Sequence, residues 1–515
     1  MNIALDVVLA VALAAGAAAQ LARWLRVLQR EHYDPTAPGR FLWRWSVRPV
    51  ASGGRWSAPV NLSLVTLVAA IVLVATGEDR WAAAVTALYG VACPVGLSPR
   101  GRTGALRWTR RLTSVALVSV VFVAVAGVAG AAPRPWIVAA AVVWLIPFLV
   151  ALSAVVLSPM EDRRAQQFVN RAVERLERVK PRVVAITGSY GKTSTKSHVV
   201  DLLGPGAGVV ASPRSFNNRA GLSRAINEQL SDDTRVFVAE MGTYGPGEIR
   251  ALCSWCPPEI AVITAIGPVH LERMRSLDVI EAAKHEVTER ATVVVVNVDD
   301  ERLATWVDPL RAAGKRVRTA GSLSDADVRV IDEDGRWSVV FEGVTHGVVA
   351  RPPAVKATNV ACALATALEL GADTAATLDR LGELRAVEHR ATVSTAPSGV
   401  VVVDDTFNAN PASATAALDQ LRALAPPGRR VVVTPGLVEL GDAARVENQS
   451  LGARVAAEGA ELVVVGRTNA RGLVDGFGPD ARRMATRDDA VSWVRSSLGP
   501  GDAVLYLNDL PDHYP

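Results

Sequence analysis

The sequence predicts an α/β protein in which an N-terminal transmembrane helical bundle precedes a central domain built around a glycine loop and a Rossmann-like C-terminal domain. Three observations predict it. Five apolar stretches crowd the first 165 residues, a strand, glycine loop and helix follow one another over residues 183–196, and the same rhythm of apolar strand, loop and helix then runs to the end of the chain. The expected boundaries are 1–165 for the membrane region, 166–390 for the central domain and 391–515 for the last.

With 515 residues there is room for about three domains of the usual ~150 residues. Half the residues are hydrophobic, and the mean hydropathy is positive. The formal charge of +4 does not form a basic stripe with interleaved aromatics, so nucleic acid is excluded as a partner. The four cysteines are scattered. Cys253 and Cys256 form CSWC, but no second pair or histidine cluster completes a zinc site, and no disulfide framework is expected.

The apolar stretches are 3–22, 60–77, 81–98, 112–132 and 136–158, each near the ~20 residues that span hydrocarbon. Arginines gather after the first (Arg23, Arg26, Arg30, Arg40, Arg44, Arg48, Arg55) and after the third (Arg100, Arg102, Arg107, Arg110, Arg111), whereas the opposite loops hold Arg80 and Arg134. Positive charge stays on the cytoplasmic side, so the N-terminus is expected outside and everything after Met160 inside, in a multi-pass protein whose partners include membrane lipid. Trp24, Trp43, Trp45, Trp56 and Trp81 are expected to anchor at the interfaces. Charged residues stand at the ends of these stretches, which argues against a charged transport path.

The glycine loop begins where Val183-Val184-Ala185-Ile186 ends. Gly188, Ser189, Gly191, Lys192, Thr193 and Ser194 precede a helix-permissive segment. Such a loop offers backbone N–H groups and a helix N-terminus to phosphate oxygens, a lysine to neutralise them and a hydroxyl to hold Mg²⁺, which reads as an ATP site. The first glycine comes two residues later than the standard P-loop spacing requires. Lysine is scarce: only Lys180, Lys192, Lys196, Lys284, Lys315 and Lys356 occur. Where arginine is so favoured, Lys192 and Lys284 are the two expected to do amine chemistry.

Ligands in parallel sheets gather at the carboxyl ends of strands. One strand ends at the glycine loop, 235–239 ends at Glu240, 261–267 ends near His270, and 293–296 ends at Asn297. A carboxylate, an imidazole and an amide are therefore expected beside the loop, with Glu240 a hard oxygen ligand for Mg²⁺. Later apolar runs at 400–403, 431–433, 462–465 and 503–507 supply a second parallel sheet.

These residues resemble a known family. The loop, then Ser215-Phe216-Asn217-Asn218 with Gly221, Glu240-Met241-Gly242 continuing to Gly247-Glu248-Ile249, Ile266 to Glu272, and Ala283-Lys284 look like the central domain of the Mur ligases. Arg390 and Asp404 to Pro411 are similar to the segment that opens that family's C-terminal domain. The resemblance is greatest to the branch that adds D-alanyl-D-alanine to the muramoyl tripeptide, and it covers about residues 180–515. It implies an ADP-forming ligase that joins a carboxylate acceptor, of cell-wall-precursor type, to an amino acid or dipeptide through an acyl phosphate. By the same resemblance Lys192 steadies the phosphoryl group, Thr193 and Glu240 hold one Mg²⁺ and His270 serves a second. Lys284 matches the lysine that carries a carbamate near the metals. Asn297 resembles the adenine contact, Arg390 and Asp405 resemble nucleotide contacts, and Asn217, Asn218, Asn408 and Asn410 fall where substrate is met.

The sequence also departs from the family. A membrane bundle stands where a UDP-gripping domain is usual, Tyr506 to Asp512 replaces a Lys-Gly-Ser segment, and the stretch from Pro352 to Asn359 lacks the usual histidine. Two alternatives therefore stay open: a ligase making another peptide or poly-amino acid, and a membrane P-loop ATPase or scaffold.

Overall fold

The computed structural model describes residues 3–46, 58–95, 97–98, 106–129, 134–213, 216–352, 355–385, 392–406, 409–424, 428–508 and 510. It contains two compact units, residues 1–164 and 165–509.

The helices of the first unit are Ile3–Arg30, Ala37–Ser46, Ala58–Ala75, Asp79–Ala92, Arg110–Ala129 and the first part of Pro135–Val179. Three of the described helices are long and apolar enough to cross a membrane: Ile3–Arg30, Arg110–Gly127 and Pro135–Val179. Leu62–Ala75 is apolar but shorter. The expected third stretch is helical only to Ala92, because Pro94 has no N–H with which to continue the helix. Contacts match the helix ends. Asp6 pairs with Arg80 at 2.9 Å and Asp79 with Arg134, whereas Gln29 bonds the Arg107 carbonyl at 2.6 Å and Tyr33 meets Thr109 at 3.1 Å.

The first helix is longer than its apolar stretch, and its second half is built into the core. A Cβ on Gly90 would come within 2.6 Å of the Gly16 Cα, so Ile3–Arg30 and Asp79–Ala92 cross in backbone contact. The early end of Asp79–Ala92 leaves carbonyls to be satisfied. Gln20 donates to the Cys93 carbonyl at 2.7 Å, and Arg23 donates to those of Gly90 at 2.6 Å, Leu97 at 2.9 Å and Val91. Arg23 is therefore a buried cap rather than a loop charge, and Arg26 is buried as well, donating to the Ser98 carbonyl at 3.4 Å. Trp24 and Trp45 are likewise core side chains, Trp24 bonding Gln20 at 2.8 Å, while Trp43 and Trp81 face outward. Trp56 lies outside the described residues. Ile71, Val121 and Phe148 are among the large apolar side chains left on the outer surface.

The second unit holds two sheets. The larger contains β1 (Arg182–Thr187), β2 (Val209–Ala211), β3 (Val236–Glu240), β4 (Ile260–Ile263), β5 (Val293–Asn297), β6 (Arg316–Gly321), β7 (Val328–Glu333), β8 (Arg336–Phe341) and β9 (Val344–Ala350). Their order is β2-β3-β1-β4-β5-β6-β7-β8-β9, parallel up to β7 and antiparallel after it. The apolar runs alternate between two cores: Val183 and Ala185 face the helices Arg219–Gln229, Glu248–Trp255 and Leu277–His285, and Val184 and Ile186 face Lys192–Leu203 and Ala357–Glu369. Burial on both sides explains why these strands read as continuous valine and isoleucine runs. Burying each such side chain contributes about 1.5–3 kcal/mol.

The smaller sheet contains β10 (Thr392–Thr395), β11 (Val401–Asp405), β12 (Arg430–Thr434), β13 (Glu461–Val465), β14 (Arg482–Met484) and β15 (Ala503–Leu507). Its order is β10-β11-β15-β12-β13-β14, parallel except for β10. Short or largely exposed strands such as β2, β9 and β10 carry no apolar run longer than three residues, and the sequence pattern does not reveal them.

His198, on Lys192–Leu203, is fully buried, its Nδ1 has no partner among the described residues, and burial lowers its pKa from 6.5 to about 4. The unfolded chain thus binds a proton between pH 6.5 and 4 that the native one refuses, and stability falls as pH drops through that window, by about 3 kcal/mol in full. Urea unfolding of the detergent-solubilised chain at pH 7.5 and 4.5 should show this loss, and His198→Phe should remove most of it. An equal loss in both proteins would contradict the account.

Candidate active site

In the larger sheet the strand order reverses around β1, with β3 on one side and β4 on the other, and the glycine loop leaves β1 at that carboxyl edge. The loop is shaped by close approach. Gly188 has φ 149° and a Cβ there would lie 2.0 Å from Thr264 Oγ1, while Gly191 has φ 80° and a Cβ there would lie 2.4 Å from Asn359 Oδ1. Ser189 ties the loop to the segment after β4, its N–H donating to the Ala265 carbonyl at 2.7 Å and its hydroxyl to the Gly267 carbonyl at 3.0 Å. Lys192 and Thr193 open the helix Lys192–Leu203, with Ser194 in its first turn. The Lys192 ammonium folds back to donate to the Gly188 carbonyl at 2.6 Å, which holds its charge over the loop.

Glu240 ends β3 beside Ile186 and is buried. The Thr193 hydroxyl donates to its Oε2 at 2.9 Å and the Lys196 ammonium donates to the same oxygen at 3.0 Å. Burial alone would raise the Glu240 carboxyl. The charges of Lys196 and Lys192 and the two hydrogen bonds outweigh it and hold the group below its ordinary range, so it is a carboxylate at neutral pH.

Thr193 and Glu240 therefore bring two hard oxygens together beside the loop, a donor set that suits Mg²⁺. Among the described residues no three His, Cys, Asp or Glu side chains form a metal cage. An ion held here by these two oxygens would leave room for water and phosphate oxygens, which suits Mg²⁺ beside nucleotide phosphates.

Lys284 lies near the end of Leu277–His285, which Ser276 caps by accepting the Val279 N–H at 3.2 Å. The helix is anchored by buried Glu286, which accepts the N–H groups of Gly247 at 2.6 Å and Arg250 at 3.0 Å. Burial first, and the charge of Lys192 second, push the Lys284 pKa well down, and among the described residues no carboxylate pairs with it. Both effects favour the uncharged form of the amine.

Other expected residues have a visible local task. β4 stops at Ile263 rather than continuing to Gly267, because the Thr264 hydroxyl turns back to the Thr187 and Tyr190 carbonyls. His270 follows in a left-handed backbone conformation (φ 54°), its Nδ1 against Glu439 Oε2. Asn297 is buried, donating to the Thr264 carbonyl at 2.7 Å and accepting the Asp299 N–H at 3.0 Å. The Asn217 carbonyl accepts the Gly242 N–H at 2.8 Å. Asn218 accepts the Gly221 N–H at 2.9 Å, and Asn410 accepts that of Ser413 at 2.9 Å, each capping a helix. Asp405 is buried at the end of β11. Arg390, Asn408 and Ser215 lie outside the described residues.

Three residues that the sequence reading left aside stand at the site. Lys196 is one helical turn after Lys192 in a chain with six lysines, a spacing that could have singled it out. Asn359 abuts Gly191, and Glu439 reaches His270 from the smaller sheet's side, and no local pattern marks either.

The profile described as Mur ligase middle domain matches residues 186–367, and that described as Mur ligase, glutamate ligase domain, matches residues 389–507. The UDP-N-acetylmuramoyl-tripeptide--D-alanyl-D-alanine ligase of Mycobacterium leprae is 33% identical over 367 residues, 63% of this chain and 70% of that protein. The Bacillus subtilis protein of the same name is 27% identical over 352 residues, 64% and 74% of the two chains. The MurF ligase of Thermotoga maritima, solved in complex with ADP, shares the fold with a TM-score of 0.58 and 24% identity, covering 67% of this chain and 80% of that one. For MurF from Acinetobacter baumannii the TM-score is 0.59 at 24% identity, over 67% and 77%. Fold, loop and matches together define an ATP-dependent ligase that joins a carboxylate to an amine. The chain belongs to the Mur ligase family, whose members form an amide and release ADP.

Gly191→Ala combines an unfavourable φ with a clash on Asn359 and should weaken ATP binding roughly tenfold or more, the effect of about 1–3 kcal/mol of strain. Gly314→Ala, equally left-handed but in open space, should leave it unchanged. Titration with a fluorescent ATP analogue measures both.

Proposed function

We propose that this protein is a membrane-anchored ligase that adds D-alanyl-D-alanine, or a closely related amino compound, to a peptidoglycan-precursor carboxylate. The observation that carries the chemistry is the meeting of Lys192, Thr193 and charged Glu240 at the loop, with Lys284 held toward its neutral form by burial and by the charge of Lys192. The relatives named for D-alanyl-D-alanine addition support the amine. A groove of about 1770 Å³ runs beside the loop, bordered by Thr193 and Lys196 and lined further out by charges of both signs, Arg235, Arg380 and Arg385 with Asp201, Asp233 and Glu383. The three long apolar helices, the outward apolar side chains and the arginine-rich loops support multi-pass anchoring with the ligase domains cytoplasmic.

A carboxylate is a poor electrophile, so the acceptor oxygen first takes the γ-phosphoryl group of ATP, giving an acyl phosphate and ADP. The amine then attacks the acyl carbon, the C–O bond to phosphate breaks, and amide and phosphate leave. Lys192 neutralises the phosphoryl oxygens as charge moves to them. Thr193 and Glu240 would hold one magnesium ion and His270 would serve a second, and the ions would supply further charge neutralisation of the phosphates. The Lys284 amine can attack CO₂, losing one proton, to become a carbamate, an anion next to Lys192 that arginine cannot form. Asn297, Asp405 and Arg390 remain the nucleotide contacts of this reading, and Asn217, Asn218, Asn408 and Asn410 the substrate contacts.

Purified protein incubated with ATP, Mg²⁺, D-alanyl-D-alanine and a panel of muramoyl-peptide carboxylates should yield ADP and a new amide by mass spectrometry. Lys192→Ala should abolish both. ATP hydrolysis without amide from any acceptor would overturn the reading.

Lys284→Arg introduces a fixed positive charge and cannot carry CO₂, and should lower kcat by roughly 10²–10³, the usual effect of losing one electrostatic contact to the transition state. Lys284→Ala should regain activity when acetate is added, and ¹³C-bicarbonate should give the wild-type protein a carbamate NMR signal. An active Lys284→Arg protein would remove the carbamate from the mechanism.

A further inference from the structure

Where the two sheets' domains meet, two facing residues hold left-handed backbone conformations. His270 has φ 54°, just before Leu271–Met274, and Glu439 has φ 62°, in the segment after β12. A non-glycine residue in this region is strained and persists only where its surroundings fix it. Here the turns aim the two side chains at each other, His270 Nδ1 against Glu439 Oε2. The Glu272 N–H donates to the Glu439 carbonyl at 3.2 Å, and a Cβ on Gly441 would come 3.3 Å from the Leu271 carbonyl. The Tyr244 ring meets the imidazole edge-on with centroids 4.7 Å apart, and the Arg273 guanidinium covers Tyr244 at 4.8 Å. The imidazole is thus located by both domains.

A carboxylate can only accept, so Nδ1 carries a proton and Nε2 is the nitrogen available for a ligand. Imidazoles that face metal ions are commonly fixed in this way, by a carboxylate on the opposite nitrogen. We propose that Glu439 is a positioning residue contributed by the C-terminal domain, which sets His270 with Nε2 toward the magnesium–phosphate site and so makes that site complete only when the domain is docked. The inference rests on the reading of His270 as a magnesium-facing residue.

The test uses the full chain in detergent, with magnesium titrated calorimetrically in the presence of a non-hydrolysable ATP analogue and hydrogen–deuterium exchange followed without metal. Glu439→Ala should weaken magnesium about 10–100-fold, the usual effect of losing such a partner, and should speed exchange in 269–275 and 437–443 while leaving the rest of both domains protected. Glu439→Gln, which can still accept from Nδ1–H, should stay within about threefold of wild type by the same comparison. If His270→Ala weakens magnesium and Glu439→Ala does not, the proposal falls alone. If His270→Ala has no effect, the reading of His270 falls and takes the proposal with it.

Discussion

A buried carboxylate that must stay charged organises this enzyme. Glu240 sits at the end of a strand where burial disfavours ionisation, and it remains an anion because Lys196, Thr193 and Lys192 converge on it. Removing one partner of such a buried pair leaves an uncompensated charge, at a typical cost of 3–5 kcal/mol. The arrangement fixes the geometry of the first turn of Lys192–Leu203, and with it the glycine loop. Lys284 lies in the field of Lys192, which adds to burial in lowering its pKa. One carboxylate therefore ties the glycine loop to the end of β3.

Much of this was legible in the chain. Strands buried on both faces announce themselves as apolar runs, which is why β1, β3, β5, β11, β12, β13 and β15 could be read, and their polar ends then pointed to the loop, Glu240 and Asn297. Hidden were features that depend on long-range packing. The pairing of Lys196 with Glu240 joins residues 44 positions apart, and that of His270 with Glu439 joins residues 169 apart. The tryptophans misled for the same reason, since Trp24 and Trp81 look alike locally and only tertiary contacts bury one and expose the other. Asparagines that cap helices, such as Asn218 and Asn410, show that one residue type can serve backbone geometry at a place where the family meets substrate.

The first unit obeys a different constraint from the second. In the second unit polar groups are buried to do chemistry. In the first, Gln20 and Arg23 are buried to finish a helix that ends at Ala92, and two glycines let the backbones touch so that those side chains can reach.

That capping has a consequence for biogenesis. Buried away from water, a helix end cannot leave several carbonyls bare without a cost of several kcal/mol, and the groups that cover the end of Asp79–Ala92 come from a segment some seventy residues earlier in the chain. Gln20 and Arg23 are therefore already synthesised when the carbonyls that they cover are made, and the later helix end never has to wait for its partners.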